Sequence, residues 1–245
     1  MSSVITNPSV PSSVFLPYVA LARKELRGAA GIIVIAIAAN GLFVLGKTGA
    51  RDVPGLTWLQ QLFEGGGTYQ PFLSGEFYSG FAWLSALFAA ALGFWQTLSE
   101  SLGHSGTWPF LLHRPVSRRG LVLTKLAVGV GLVLCVSAAT IIVYAAWATW
   151  FARPPIPFEW SMTHRAWHLW LWPPLIYCGA FLSGLRPARW WGTRLWPAAV
   201  SVAPWFFSMS IPYWIWWPTE ASLAVLLNAW FVVVILDVMA ERDFG

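Results

Sequence analysis

Long, uninterrupted runs of apolar residues dominate this chain, and the stretch GIIVIAIAANGLFVL at residues 31–45 is typical of them. Hydrophobic residues make up 57% of the 245 residues and charged residues 10%, whereas about 25% of an average soluble domain is charged. A transmembrane β-strand alternates lipid-facing and interior-facing side chains over about ten residues, and these runs do not alternate. The sequence therefore predicts an all-α integral membrane protein.

Six apolar stretches are each close to the roughly 20 residues that a helix needs to cross a bilayer. They lie at about residues 28–45, 77–98, 120–150, 166–185, 193–210 and 221–240. The third stretch exceeds one crossing, so we expect it to tilt or to begin near Ser117 as a helical extension that contains Lys125. We predict a single six-helix domain over residues 14–245, preceded by a polar, proline-bearing and flexible lead over residues 1–13.

The distribution of basic residues predicts the orientation of these spans. With the N-terminus inside, the segments on the inner side carry most of the 15 Lys and Arg side chains: Arg23, Lys24, Arg27, Arg114, Arg118, Arg119, Lys125, Arg186, Arg189, Arg194 and Arg242. Lys47, Arg51, Arg153 and Arg165 remain for the outer side. By the positive-inside rule, we expect a protein of the prokaryotic cytoplasmic (inner) membrane with both termini in the cytoplasm. The net charge of +5 then reflects topology, and we expect no nucleic-acid partner.

Motifs that carry enzymatic chemistry are missing from the sequence. It contains no GxxxxGK[ST] phosphate loop, no HExxH pair and no GxSxG nucleophile turn. His164 and His168 can share one helix face, but no second pair of histidines within a predicted span completes a metal or haem site. We therefore expect no catalytic residue, no metal and no cofactor in this chain.

Few polar residues lie inside the predicted spans. An ion-coupled carrier is expected to bury ionisable groups there, and Asp237, near the inner end of the last span, is the one clear candidate. Asn40 and Asn228 lie in the middle of spans, where we expect hydrogen bonds between helices, and Asn40 is also a candidate for lining a transport path. Glycines permit close contact between helices, and we expect this role for Gly41, Gly93, Gly129 and Gly131.

The segment VFLPYVALARKELRG, residues 14–28, has apolar residues at helical spacing on one side and Arg23, Lys24 and Arg27 on another. This pattern predicts a helix that lies along the inner membrane surface before the first span. A plain anchor that only sets the topology is the alternative interpretation.

The segment GHSGTWPFLLHRPVSRRGLVLTK, residues 103–125, separates the second span from the third. Thr107 is a good helix N-cap, Pro109 suits the first turn, Pro115 ends the helix and Ser117 caps the next one. The short cytoplasmic helix displays large apolar side chains: Trp108, Phe110, Leu111 and Leu112. A connection between two spans needs such side chains only where they meet lipid or protein.

These residues resemble the type-2 permeases of ATP-binding-cassette (ABC) transporters. The residues that match the family pattern are Glu100, Gly106, Thr107, Leu111, Leu112, Pro115 to Arg118, and Lys125. The segment LARKELRG at residues 21–28, with Arg23, Lys24, Glu25 and Arg27, is similar to the family's N-terminal interfacial helix. The resemblance covers roughly residues 20–150.

The resemblance implies that the loop is a coupling helix, docked in a cleft of a separate cytoplasmic ATPase that binds ATP and Mg²⁺. It also implies a second permease, identical or related, and a path lined by spans one, two and five within membrane lipids. Family members often carry re-entrant helices between spans five and six, but only IPYWIWWPTE, residues 211–220, is available for them here.

Other functions remain open at this stage. The loop can instead be an interfacial hairpin that carries basic topology signals. The chain can be a non-transporting scaffold that recruits soluble partners through its basic inner loops, or an ion-coupled secondary carrier.

Overall fold

The computed structural model describes residues 16–47, 75–101, 117–150, 158–186, 191–210 and 213–241, and all regular structure in these ranges is helical. The elements in chain order are α1 (Leu16–Lys47), α2 (Gly75–Ser101), α3 (Arg118–Trp150), a 3₁₀ turn (Trp160–Thr163), α4 (His164–Trp170), α5 (Pro173–Leu185), α6 (Trp191–Ser210) and α7 (Tyr213–Glu241). The prediction of an all-α chain is confirmed within these ranges.

Four of the described helices are long and apolar enough to cross a membrane: Pro17–Lys47, Phe77–Leu98, Arg118–Trp150 and Pro218–Glu241. They correspond to the first, second, third and sixth predicted spans. Their length and composition are those of a membrane protein. The crossing of residues 166–185 and 193–210, the identity of the membrane and the side on which the termini lie stay predictions.

Helices α1 and α3 are longer than one crossing requires. At 1.5 Å per residue they extend over about 48 and 50 Å, against about 30 Å of hydrocarbon. The Ser117 hydroxyl accepts a 3.1 Å hydrogen bond from the Gly120 amide, so its predicted N-cap role is confirmed. Helix α1 is continuous from Leu16, so the structure does not show a separate interfacial helix before the span.

Residues 166–185 do not form the single continuous helix that we predicted, because the helix is interrupted at Leu171 and Trp172. Helix α4 ends at Trp170, and Pro173 and Pro174 occupy the first two positions of α5. Proline lacks the amide hydrogen that a helix interior needs and restricts the residue before it, so a proline pair favours a new helix start. Helix α5 is about 20 Å long, which is too short to cross the hydrocarbon by itself.

Helix α5 lies at the centre of the bundle. All 13 of its residues are buried, and it packs against α2, α3, α6 and α7. Gly93 on α2 and Gly129 on α3 lie directly against Tyr177 of α5, so the predicted role of these two glycines in close packing is confirmed. Gly41 and Gly131 have open space where a side chain would stand, and that role is wrong for them.

Replacing Gly129 by alanine is expected to destabilise the bundle by about 1–3 kcal/mol, since the added methyl group would overlap the Tyr177 phenol group. Thermal unfolding of the purified chain in detergent, followed by tryptophan fluorescence, measures the loss. Gly131→Ala on the same helix is the matched control. It adds a methyl group in open space and should be neutral or stabilising by up to about 1 kcal/mol. Equal effects of the two substitutions would contradict the close packing at Gly129.

Within the described part of the aromatic stretch, residues 213–220, the chain forms one helix and not a pair of re-entrant helices. Helix α7 already begins at Tyr213, three residues after α6 ends at Ser210. Most of the stretch therefore forms about two turns at the start of α7.

Candidate functional site

Contacts between helices show which elements lie together at each end of the bundle. Thr97, near the end of α2, packs on Gly184, near the end of α5. Arg194, near the start of α6, donates hydrogen bonds to the carbonyls of Ser183 and Gly184 at 3.4 and 3.3 Å. We call this the loop end, because α2 ends there and α3 begins there, on either side of residues 102–116.

The opposite end holds the start of α2 and the junction between α6 and α7. The Tyr78 hydroxyl, in the first turn of α2, donates a 2.8 Å hydrogen bond to the Met162 carbonyl in the 3₁₀ turn. Helix α4 follows that turn directly. The residues of α4 therefore lie at the opposite end of the bundle from the end of α2 and the start of α3.

A buried ion pair joins α1 to α3 near the loop end. Lys125 Nζ lies 3.0 Å from Glu25 Oε1, and the two side chains are 0% and 6% exposed. Two charges removed from water to this degree are stable only as a pair with favourable geometry. Both residues belong to the segments that resemble ABC permeases, and the sequence did not indicate that they meet.

Two polar side chains that sequence reasoning missed lie beside this pair. The Tyr177 hydroxyl of α5 donates a 2.5 Å hydrogen bond to Gln96 Oε1 of α2 and lies 3.3 Å from the backbone carbonyl of Lys125. All are buried. We call Glu25, Gln96, Lys125 and Tyr177 the Glu25/Lys125 cluster. It links α1, α2, α3 and α5. The sequence signal for Gln96 and Tyr177 was the presence of a glutamine and a tyrosine within otherwise apolar predicted spans.

A second contact fixes α1 against α2 close to this cluster. The Trp95 indole of α2 donates a 3.0 Å hydrogen bond to the backbone carbonyl of Gly28. Gly28 lies three residues after Glu25, so the same part of α1 is bound to α2 by a backbone contact and to α3 by an ion pair. The three helices are thus connected by polar contacts at the loop end.

Most of the other predicted site residues lie outside this cluster. Arg23, Lys24 and Arg27 are exposed on α1, and Arg118 is exposed at the start of α3. Glu100 belongs to the last turn of α2. The remaining predicted residues of the coupling loop lie outside the described ranges: Gly106, Thr107, Trp108, Phe110, Leu111, Leu112 and Pro115.

A second buried ionisable cluster lies at the opposite end, between α4, α6 and α7. His168 Nε2 contacts Glu220 Oε2, and the Ser208 hydroxyl donates a 3.0 Å hydrogen bond to the same carboxylate oxygen. All three side chains are buried, and we call them the His168/Glu220 cluster. His164, four residues before His168, is exposed. No group of three His, Cys, Asp or Glu side chains that could hold a metal ion occurs within the described helices.

This cluster corrects the sequence prediction about ionisable residues. Asp237, the predicted buried acid, is exposed on α7, whereas Glu25, Lys125, His168 and Glu220 are buried. Glu220 was missed because it ends the aromatic stretch 211–220, one residue before the predicted start of the last span. The chain therefore does bury the type of group that ion-coupled carriers use.

Asn40 lines an open cavity of about 430 Å³ between α1 and α3, whose walls are otherwise mostly apolar. Its amide nitrogen donates a 2.8 Å hydrogen bond to the Ala36 carbonyl of its own helix, and Asn228 bonds Ala224 in the same way. The hydrogen bonds between helices that we expected are thus replaced by bonds within each helix. The role of Asn40 in lining a transport path stays a prediction.

Chemically, the two clusters differ in what they can do. The Glu25/Lys125 cluster has a cation, an anion and a neutral hydrogen-bonded pair, which together hold four helices in register. The His168/Glu220 cluster contains an imidazole against a carboxylate, a combination that binds and releases protons.

Comparison with protein-family models, with characterised proteins and with solved structures finds no match for this chain.

Proposed function

We propose that this chain is the membrane-spanning permease subunit of an ABC transporter, which moves a substrate with energy from ATP hydrolysed by a separate cytoplasmic ATPase subunit. The observation that carries the proposal is the buried contact between Lys125 and Glu25. It connects the two segments whose sequences resemble the family's coupling region and N-terminal helix.

The contacts support a route by which a movement of residues 102–116 would be transmitted to the membrane-spanning helices. Residues 102–116 connect directly to α3, and Lys125 lies eight positions after its Ser117 cap, about two helical turns into the bundle. A displacement of the connecting segment would move α3, and the Glu25 contact would carry α1 with it. The Trp95 contact to Gly28 extends the same connection to α2.

The partners follow from the missing phosphate loop. Since the sequence has no GxxxxGK[ST] motif, ATP and Mg²⁺ would bind to the partner ATPase. A second permease, identical or related, would complete the transport path, and membrane lipids would surround both.

Purification of the tagged chain in mild detergent tests the proposal. Mass spectrometry of the co-purified proteins should identify a stoichiometric ATPase with a phosphate loop, and the eluate should hydrolyse ATP. The chain alone, without hydrolysis, would contradict the proposal and favour a carrier or a scaffold.

Replacing Leu111 and Leu112 together by aspartate is expected to abolish co-purification of the ATPase, because two charges would enter an apolar cleft. Leu111→Met with Leu112→Met keeps the apolar surface and is the matched control. Quantitative mass spectrometry of the eluate measures the ratio of ATPase to permease. An unchanged ratio for the aspartate variant would reject the assignment of residues 102–116 as the coupling segment.

An ion-coupled secondary carrier is the second candidate, and the buried His168/Glu220 cluster favours it. The two candidates differ in their energy source. Substrate transport by the purified chain in liposomes, driven by an ion gradient and without an ATPase, would select the carrier.

A further inference from the structure

The His168/Glu220 cluster joins three helices through a single carboxylate. His168 on α4 and Ser208 on α6 both meet Glu220 Oε2 on α7. The other carboxylate oxygen, Oε1, is buried and accepts no hydrogen bond from any described residue. The charge on Glu220 is therefore balanced by its contact with the imidazole when that ring is protonated.

Among the described residues, no second charged side chain contacts His168. Helix α4 packs against α2, α3, α6, α7 and the 3₁₀ turn. The other titratable or charged groups near α4 have different partners or are exposed. The Tyr78 hydroxyl donates to the Met162 carbonyl, and the Tyr144 ring stacks on the Phe77 ring with centroids 4.2 Å apart. The Arg165 guanidinium lies 5.1 Å from the centre of the Tyr78 ring, the Glu159 carboxylate accepts a 3.2 Å hydrogen bond from the Ser161 hydroxyl, and His164 is exposed.

The charge balance depends on one proton. With a proton on both nitrogens of His168, the imidazolium faces the Glu220 carboxylate and the pair is neutral overall. Loss of the Nε2 proton to water leaves the carboxylate buried without its counter-charge, which is a costly state in an apolar interior. The Ser208 hydrogen bond remains but brings no charge.

We propose that His168 and Glu220 form a proton-binding site that holds α4, α6 and α7 together while the proton is bound. Release of the proton from His168 Nε2 frees the first half of α7 to move toward water. The ligand of this site is the proton itself. The inference goes beyond the proposed function and holds whether the energy for transport comes from ATP or from an ion gradient.

Hydrogen–deuterium exchange of the full chain in detergent tests this site without an ATPase or a substrate. Exchange in peptides from the first half of α7 is measured at pH 6 and pH 9 and corrected for the intrinsic chemical rate. We expect the corrected exchange to be at least about tenfold faster at pH 9, because opening of this segment is favoured when the proton leaves. Equal corrected rates at the two pH values would overturn the proposal.

Variants identify the groups responsible. Glu220→Gln leaves no buried charge after deprotonation, so its corrected exchange should not depend on pH. His168→Gln lacks the titrating ring and should also lose the pH dependence. His164→Gln, on the same helix but exposed, should keep the wild-type ratio. A wild-type ratio in either Glu220→Gln or His168→Gln would assign the effect to another group and overturn the site.

Discussion

Replacing Lys125 by methionine is expected to destabilise the folded chain by about 3–5 kcal/mol, the cost of removing one partner from a buried ion pair. Methionine occupies a similar volume, so the loss comes mainly from the Glu25 carboxylate, which stays 6% exposed without the ammonium group. Thermal unfolding of the purified chain in detergent measures it. Arg119→Met on the same helix removes an exposed charge and should change stability by less than about 0.5 kcal/mol.

The double variant Glu25→Gln with Lys125→Met separates charge from packing. Both charges are then absent, and most of the lost stability should return, since neutral replacements for a buried pair are often tolerated. A double variant as unstable as Lys125→Met would mean that the lysine acts through its packing and not through Glu25. A stable double variant that still binds an ATPase but no longer couples hydrolysis to transport would support the connection from α3 to α1.

The second large effect is expected for Phe181→Ala in α5. Phe181 is 0% exposed and packs beside Tyr177, with ring centroids 5.9 Å apart. Removal of the ring leaves a cavity at the centre of four helices, and large-to-small changes of this type cost about 3–5 kcal/mol in proteins. Unfolding in detergent again gives the measurement.

Phe207→Ala is the matched control for this substitution. Phe207 lies on α6 and is 67% exposed, so its removal creates no internal cavity. Its effect should be below about 0.5 kcal/mol. A loss for Phe207→Ala as large as that for Phe181→Ala would contradict the central position of α5.

Composition and apolar periodicity were sufficient to predict the long helices. Helices α1, α2, α3 and α7 contain the predicted spans 28–45, 77–98, 120–150 and 221–240, because a continuous apolar run of that length has few alternatives to a helix. The N-cap role of Ser117 was also predictable from the sequence, since a serine before a helical run accepts a hydrogen bond from a backbone amide in the first turn. The Pro173 and Pro174 pair carried the signal for the broken helix, but hydropathy outweighed it in our prediction.

The contacts within the candidate sites could not be predicted from the sequence. Glu25 and Lys125 are 100 positions apart in the numbering, and Glu220 is 52 positions from His168, so no local pattern relates them. Burial of a charged side chain depends on which helix faces meet, and a single sequence does not indicate those faces. Glu25 was therefore expected at the membrane surface, and it lies inside the bundle instead.

The short, enclosed helix α5 has a consequence for how the protein is made. A 13-residue helix is too short to cross the hydrocarbon by itself, so its place at the centre of the folded bundle depends on its neighbours. Helices α2 and α3 are synthesised before it and can receive it, while α6 and α7 must arrive afterwards to close the remaining sides. Substitutions on the inward faces of those four helices should therefore lower the amount of protein in the cell through failed biogenesis and proteolysis, even where no residue of the two polar clusters is altered.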